Sequence, residues 1–474
     1  MKKIVLLLGT LALGLGSCQS FLDEKPYDFL TPANFYQNEA DAVAALNGVF
    51  SALQPQAYYG RTTWLISELP GDGMTTVATS GERFELFNNS FTTTNSEISN
   101  WWVNTYRMIN RANDVIGKVP AVSMDATRKN AILGNARFLR AMGYFDLVRC
   151  FGDVPLPLTA TSGPADDVRP ARAPLAQVYT QIIEDLKFAE ANCLPENRIT
   201  AGEKGRASSG AAAALLGKVY LTRASTSAAA ATDNQDALSA LNRVISSNLY
   251  SLLPVYSDVF SPDKENGPEH LFSIQFDLPP NVGNITPRMH IPTSLAGFGA
   301  FNVPTWLVNA YTAPDVRKAW NLSNATNASG TTTQTLYWFN KFRDPLRVLN
   351  DSRCNWVVSR YADVLLMQSE ALNNLNAADA TKYQGLNAVR VRAGLAALPT
   401  TATTKDAFVD ILLQERALEL CAEGYRWYDL TRLGRLKQRQ LAVYNRTVSD
   451  QFLLFPIPQS EILLNPNLKQ NPRY

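Results

Sequence analysis

Apolar residues recur at helical spacing along most of the chain. Asn38-Glu39-Ala40-Asp41 has the form of a helix N-cap with acids in its first turn, and Val43, Leu46, Val49/Phe50 and Leu53 follow on one stripe. Trp102, Tyr106, Ile109, Ala112 and Val115/Ile116 predict a second helix over 96–118. A third covers roughly 125–150 and stops at Gly152, ahead of Pro155 and Pro157, the glycine-then-proline order of a helix end. Pro174 opens a fourth, with Val178, Ile182, Leu186 and Ala189 apolar. The same spacing predicts helices near 207–227, 236–247, 360–374, 382–393, 405–422 and 425–433. In 207–227 the small residues Ala211, Ala214 and Gly217 sit beside Leu215, Leu216, Val219 and Tyr220, a face that lets another helix come close. Paired helices with small residues at the crossings predict tetratricopeptide-like packing, although no clean 34-residue period is present. Two short strands are expected, at 270–276 and 335–342. Between them, 277–351 is rich in Pro, Gly, Asn and Thr, with a low-complexity run at 323–335. A loop region that long in a compact protein is usually functional.

Composition narrows the chemistry. The 474 residues are 46% hydrophobic, enough for a large core. Lys+Arg is 44 and Asp+Glu 42, a net charge of +2 with no basic run, which excludes a nucleic-acid binder. Only 18% of residues are charged, against ~25% typically, so much of the surface is neutral amide and hydroxyl, suited to hydroxyl-rich ligands. Met1-Lys2-Lys3 followed by the apolar run 4–16 reads as a signal peptide, since the run spans roughly 20 Å and is too short to cross a bilayer. It ends Leu15-Gly16-Ser17-Cys18, which resembles a bacterial lipobox, so 1–17 is expected to be removed and Cys18 to carry acyl chains, with 18–30 as tether. Cys150, Cys193, Cys354 and Cys421 are far apart and are expected to be buried free thiols. No CxxC or histidine cluster exists, so neither metal nor cofactor is expected.

Several stretches resemble one family. After the lipobox comes Phe21-Leu22-Asp23-Glu24-Lys25-Pro26, then Trp102-x3-Tyr106-x2-Ile109-x2-Ala112-Asn113, then Phe138-Leu139-Arg140-Ala141 and Phe151-Gly152-Asp153-Val154-Pro155. The C-terminal half holds Arg360-Tyr361-Ala362-Asp363-Val364, Asn387-x2-Arg390-x-Arg392-Ala393-Gly394, and Glu415-Arg416-x2-Glu419-x3-Glu423-Gly424-x-Arg426-Trp427-x-Asp429-Leu430. It closes on Phe455-Pro456-Ile457-Pro458 and Asn465-Pro466. In this order they resemble the SusD/RagB outer-membrane lipoproteins. The resemblance implies a mostly α-helical superhelix of about four tetratricopeptide-like hairpins with a loop-rich second lobe containing short strands. It divides the mature chain into an N-terminal SusD-like helical region, 31–269, and a RagB/SusD region, 270–474, whose variable loop lobe is 277–351. It implies a cell-surface, lipid-anchored subunit of the outer membrane that binds an oligosaccharide or peptide and acts as a lid on a SusC-like TonB-dependent transporter.

The charged motif invites a catalytic reading, because Glu415, Glu419 and Glu423 are one helical turn apart. Arg416 and Arg426 are interleaved at i+3 and i+4 distances, and the motif is expected to be an internal ion-pair network. His270 and His290 are the only imidazoles and have no nucleophile elbow or HExxH motif beside them. Sugars need flat apolar faces and planar polar groups, which loop aromatics with Asn, Asp and Arg supply. Tyr58, Tyr59, Asp72, Arg83, Asn89, Trp101, Phe298, Trp306 and Trp338 are the candidate ligand-binding residues. Trp102, Tyr106 and Trp427 lie on apolar stripes and are assigned to the core. Two other functions compete: a surface glycan hydrolase using Asp72 with Glu82 or Glu85, and a helical scaffold that binds only proteins.

Overall fold

Asn38 caps the first helix as its sequence predicts. Its side chain accepts from the Asp41 backbone N–H (3.2 Å), and the Asp41 carboxylate accepts in return from the Asn38 N–H (3.2 Å). A computed structural model describes residues 35–161, 169–401 and 403–474. The expected signal peptide 1–17, Cys18 and the expected 18–30 tether lie outside the described residues.

The helices before the loop lobe are α1 (Glu39–Ser51), α2 (Thr62–Glu68), α3 (Gly81–Asn88), α4 (Ser96–Lys118), α5 (Ala126–Phe151), α6 (Leu175–Asn192), α7 (Ser209–Arg223) and α8 (Asp233–Ser246). The lobe carries the short α9 (Thr286–His290), α10 (Thr305–Ala310) and α11 (Arg317–Asn321). After it come α12 (Tyr361–Leu375), α13 (Tyr383–Arg392), α14 (Lys405–Glu419), α15 (Arg426–Arg432), α16 (Leu436–Tyr444) and α17 (Gln459–Leu464). From α4 to α8 each helix packs on the next, α8 packs on α12, and α12 packs on α13 and α14, while α1 lies across α4 and α5. The fold is thus mostly α, an array of antiparallel helix pairs of the tetratricopeptide kind. The small-residue face of α7 does what its sequence predicts: a Cβ on Gly217 would lie 2.7 Å from Leu241 Cγ of α8. Gly385 of α13 sits closer still to α12, where a Cβ would lie 2.4 Å from the Leu365 carbonyl oxygen. Among the described residues no helix is long and apolar enough to cross a membrane.

The strands are β1 (Thr75–Thr76), β2 (His270–Ile274), β3 (Phe301–Asn302), β4 (Leu322–Ala325), β5 (Thr333–Phe339) and β6 (Trp356–Arg360). They form three antiparallel pairs, β1 with β3, β2 with β6 and β4 with β5. The run at 323–335, read from sequence as low-complexity loop, mostly belongs to the β4–β5 hairpin, with Leu322 opposite Phe339 and Ala325 opposite Thr333. β2–β6 joins the lobe to the helical array, because β6 ends at Arg360 and α12 begins at Tyr361. All four described cysteines are free and buried, as expected.

The charges of the 415–429 motif are interior, but their partners differ from the sequence expectation. Glu419 and Glu423 are not neutralised by Arg416 and Arg426. Arg360 reaches Glu269 (3.0 Å), Glu419 (2.5 Å) and Glu423 (2.7 Å). Arg392 bridges Glu269 and Glu419, Arg317 bridges Asp315, Glu415 and Glu419, Arg390 reaches Glu415, and Lys341 reaches Glu423. This connected set holds five cations and five carboxylates. A second set is also balanced: Lys218, Arg416 and Arg432 against Asp363, Asp429 and Glu370. An unpaired ion is costly in the interior, so equal numbers are what burial demands. A helix can offer only residues from its own turns at i+3 and i+4. The long-range partners come from β6, α11, α13 and the loop after β5, which the fold brings to one end of α14.

The candidate ligand-binding face

The loop after α2 is held from below. Glu68 closes α2 by accepting from the backbone N–H of Gly424 (2.7 Å) and Tyr425 (3.1 Å). Burial raises its carboxyl to about 8 against these hydrogen bonds. Two residues on, Gln440 of α16 donates to the carbonyls of Pro70 (3.0 Å) and Gly71 (2.5 Å). Asp72 is buried, and burial alone would favour its neutral form. Arg426 (2.6 Å) and Arg439 (2.6 Å) instead hold its carboxyl below the usual carboxylate range.

This anchored turn places Trp306. Its indole N–H donates to the Asp72 carbonyl (2.6 Å), and Tyr444 donates to the same oxygen (3.2 Å). The Arg439 guanidinium lies 4.5 Å and that of Arg426 5.3 Å from the Trp306 ring centroid. Trp306 remains half-buried, with part of its surface open to solvent. Beyond the turn, β1 pairs with β3, Thr75 opposite Asn302 and Thr76 opposite Phe301, and Val303 N–H bonds to the Tyr337 carbonyl of β5 (2.8 Å). The segment before β3 is tied to α9 by Phe298 N–H to Arg288 O (2.8 Å) and Ala300 N–H to Met289 O (3.0 Å). These pairings bring the loop at 70–80, the segment 297–306 and the β4–β5 hairpin to one face. Phe298 is 45% exposed there, Val77 55% and Leu336 54%. Arg288 lies 4.5 Å from the Phe298 ring, and Arg83 of α3 lies 5.8 Å from the ring of Phe301.

The sequence candidates therefore separate. Arg83, Phe298 and Trp306 keep solvent-facing surface on this face, and Asp72 lies beneath Trp306 as its anchor. Tyr58, Tyr59 and Trp101 are buried together, with ring centroids 4.7 Å apart for Tyr58–Tyr59 and Tyr58–Trp101. Both tyrosine hydroxyls donate to Asp146 (3.1 and 2.8 Å). They stabilise the packing of α2 on α4 and α5. Asn89 is buried in left-handed backbone as the C-cap of α3 and donates to the Pro70 carbonyl (3.2 Å). Trp338 is buried on β5 with its indole N–H on the Ala325 carbonyl (3.1 Å). A loop position alone does not distinguish an aromatic under the loop from one on it.

The sequence reading missed Arg288, Arg439 and Tyr444. The last two sit on α16, whose mixture of charges reads in sequence as an ordinary solvated helix, and no local signal marks them. It also missed an open cleft of about 680 Å³ lined by Gln54, Glu265, Gln275, Asp277, Asn281 and Arg353. The polar groups of that cleft are largely spent on one another: Gln54 on the Gln275 carbonyl, Gln275 on Asn266, and Arg353 on Asp344 and Asp263.

The two histidines are interior. His270 accepts from Gly267 N–H at Nδ1 (3.1 Å), which leaves Nε2–H to donate to the Val259 carbonyl (2.8 Å). His290 packs among Trp64, Phe301 and Phe339, and burial pushes its pKa down to about 3, so it is a neutral ring below the face. Trp102 and Trp427 are core residues, as their stripes predict.

A SusD family model matches residues 299–474. A second model, described as starch-binding associating with outer membrane, matches residues 20–221. The chain belongs to the SusD/RagB family. It is 29% identical to SusD-like protein P2 of Formosa agariphila, with 99% of both chains covered. Its fold is similar to that of a SusD superfamily protein from Parabacteroides distasonis, with a TM-score of 0.82, 27% identity, and 94% of this chain and 100% of that one covered. It is also similar to a laminarin-binding SusD-like protein, with a TM-score of 0.79, 26% identity, and 93% and 100% covered. The SusD resemblance read from the motifs is borne out, and so is the mostly α fold.

Proposed function

We propose that this SusD-family chain is a non-catalytic, lipid-anchored glycan-binding subunit of the outer-membrane surface, delivering its ligand as a lid to a SusC-like TonB-dependent transporter. The observation that carries the reading is that Phe298 and Trp306 of one lobe segment and Arg83 of the distant α3 all keep solvent-facing surface, with Arg83 lying 5.8 Å from the ring of Phe301 in that same segment. Aromatic faces receive the C–H surface of a sugar, and guanidinium N–H groups reach its oxygens. The laminarin-binding relative and the starch-binding family description support a glycan over a peptide. The candidate residues narrow accordingly to Phe298, Trp306 and Arg83, with Asp72 beneath Trp306. The hydrolase reading loses its acid pair: Asp72 is engaged by two arginines, Glu82 accepts from Ser96 (3.2 Å), and Glu85 accepts from Asn95 (2.9 Å).

Titration of the purified soluble chain with a panel of polysaccharides and peptides tests the proposal. Binding to at least one polysaccharide, without product release, is expected. Phe298→Ala and Trp306→Ala are expected to weaken it at least fivefold without a matching loss of melting temperature. Peptide binding alone, or glycan cleavage, refutes the reading. Cys18→Ala is expected to move the protein from the membrane fraction to the soluble fraction.

A further inference from the structure

Two buried sets match arginine and lysine with carboxylates in equal numbers, five with five and three with three. The candidate face carries arginines outside any such set. Arg83, Arg288 and Arg347 form no ion pair among the described residues. Arg83 lies beside the Phe301 ring, and Arg288 lies beside Phe298 with Asn350 as its side-chain partner. Arg347 donates only to the Leu349 carbonyl (2.6 Å).

Two of the nearby acids are already paired with other arginines, while Glu82 is bonded to Ser96 and its charge also acts on Arg83. Glu97 is held by Arg61 (2.6 Å), and Asp344 by Arg353 (2.8 Å). Burial, followed by the neighbouring Arg61, lowers the pKa of Arg83, while burial and then Arg288 lower that of Arg347. Like charges have therefore been gathered around the Phe298–Phe301 segment at an energetic cost that an anionic ligand would relieve. Planar guanidinium groups match the oxygens of sulfate and carboxylate.

We propose that the glycan taken by this face is acidic, carrying sulfate ester or uronate groups, and that Arg83 and Arg288 receive those anions beside the Phe298 ring. The inference rests on the glycan-binding reading and adds the charge of the ligand.

The experiment compares backbone-matched pairs that differ in charge: dextran sulfate against dextran, and polygalacturonate against its methyl ester. Each is titrated into the full mature chain made soluble by Cys18→Ala. At least one charged member is expected to bind tenfold or more tighter than its neutral partner, with most of that advantage lost between 50 and 500 mM NaCl. Arg288→Gln is expected to lose at least fivefold on the charged member and little on the neutral one, and Arg83→Gln, which also touches the neutral glycan, is expected to lose more on the charged member than on the neutral one. Arg288→Lys, which keeps the charge, should retain most of the binding if Arg288→Gln alters the fold. Arg111→Gln, an exposed arginine bonded only to the Gly48 carbonyl (2.8 Å), is the control for nonspecific attraction and should change nothing. Equal binding of neutral and charged partners overturns the acidic inference and leaves the glycan reading standing. An equal loss in Arg111→Gln overturns it as well. Binding of peptides but no polysaccharide overturns the glycan reading itself, and this inference with it.

Discussion

Replacing Arg360 by Met tests whether the interior charges act as one balanced set. The guanidinium is fully buried and makes five hydrogen bonds, one to Glu269 (3.0 Å), two to Glu423 (2.7 and 2.8 Å), and one each to the carboxylate (2.5 Å) and carbonyl (2.8 Å) of Glu419. Met keeps the aliphatic stem but leaves four cations facing five carboxylates in a dry interior. Breaking one partner out of a buried ion set costs about 3–5 kcal/mol, because the surviving charge has nowhere to go. Urea unfolding monitored by tryptophan fluorescence should register a loss in that range. Adding Glu269→Gln to Arg360→Met restores four against four. Arg392 keeps Glu419 (2.5 Å), and the Gln oxygen still accepts from Arg392 and from Leu253 N–H. The double variant should therefore be more stable than Arg360→Met alone, although Glu269→Gln by itself destabilises. Two results would refute the reasoning: a loss below about 1 kcal/mol in Arg360→Met, or a double variant whose loss is the sum of the two single losses.

The pH dependence of stability checks Glu68. Its folded pKa is raised from 4.5 to about 8, so its contribution is complete below 4.5 and is lost as pH rises to about 8. The slope is ~1.4 kcal/mol per pH unit. Glu68→Gln cannot titrate, so urea midpoints at pH 5, 6.5 and 8 should fall less steeply than in the wild type, and parallel slopes would contradict the assignment. At the acid end the sign reverses. Although burial opposes their charge, Arg392, Arg360 and Arg317 hold Glu419 far below its usual range, and Lys218 and Arg416 do the same for Asp363. Stability is expected to fall as pH drops below about 4, and less steeply in Glu419→Gln, as followed by circular dichroism. Gly385→Ala forces a Cβ against a carbonyl of α12 that cannot rotate away, and should cost about 1–3 kcal/mol in thermal or urea unfolding with binding per folded molecule unchanged.

Most of the helical array was legible in the sequence because an amphipathic helix writes its own period. The 96–118 stripe became Ser96–Lys118, and Gly152 did end the following helix. Gly217 was recognisable as a contact point since small residues beside large ones have few other uses on a helix. What escaped was short or long-range. Helices α2, α3 and α9 to α11 have five to eight residues, too few for a stripe to repeat. β6 gave no alternation because four of its five residues are buried. The partners of Glu419 and Glu423 are set by the fold, not by spacing along α14. Of the nine site candidates, loop placement and residue type found the right segments but could not sort them. Tyr58 and Trp101 are chemically as good a sugar platform as Phe298 and Trp306; Asp146 holds the hydroxyls of Tyr58 and Tyr59 inward, and Trp101 packs on their rings.

A separate buried cluster explains how part of a loop-rich face can hold a fixed shape. The segments that carry Phe298, Trp306 and Arg83 have only two-residue strands and short helices of their own, which would not order them in isolation. The Trp306 end is instead fastened to a buried charge. The Asp72 turn is clamped by Arg426 and Arg439, and Trp306 hangs from its carbonyl. Arg426 belongs to α15, directly after the glycine loop whose N–H groups bind Glu68. Through Arg426, the densest charged motif of the chain therefore positions Trp306, and under the proposed function it would act on recognition through that position. A substitution at Arg426 should then weaken ligand binding through loss of the Trp306 orientation, and the fluorescence of Trp306 would shift in the same variant even with no ligand present.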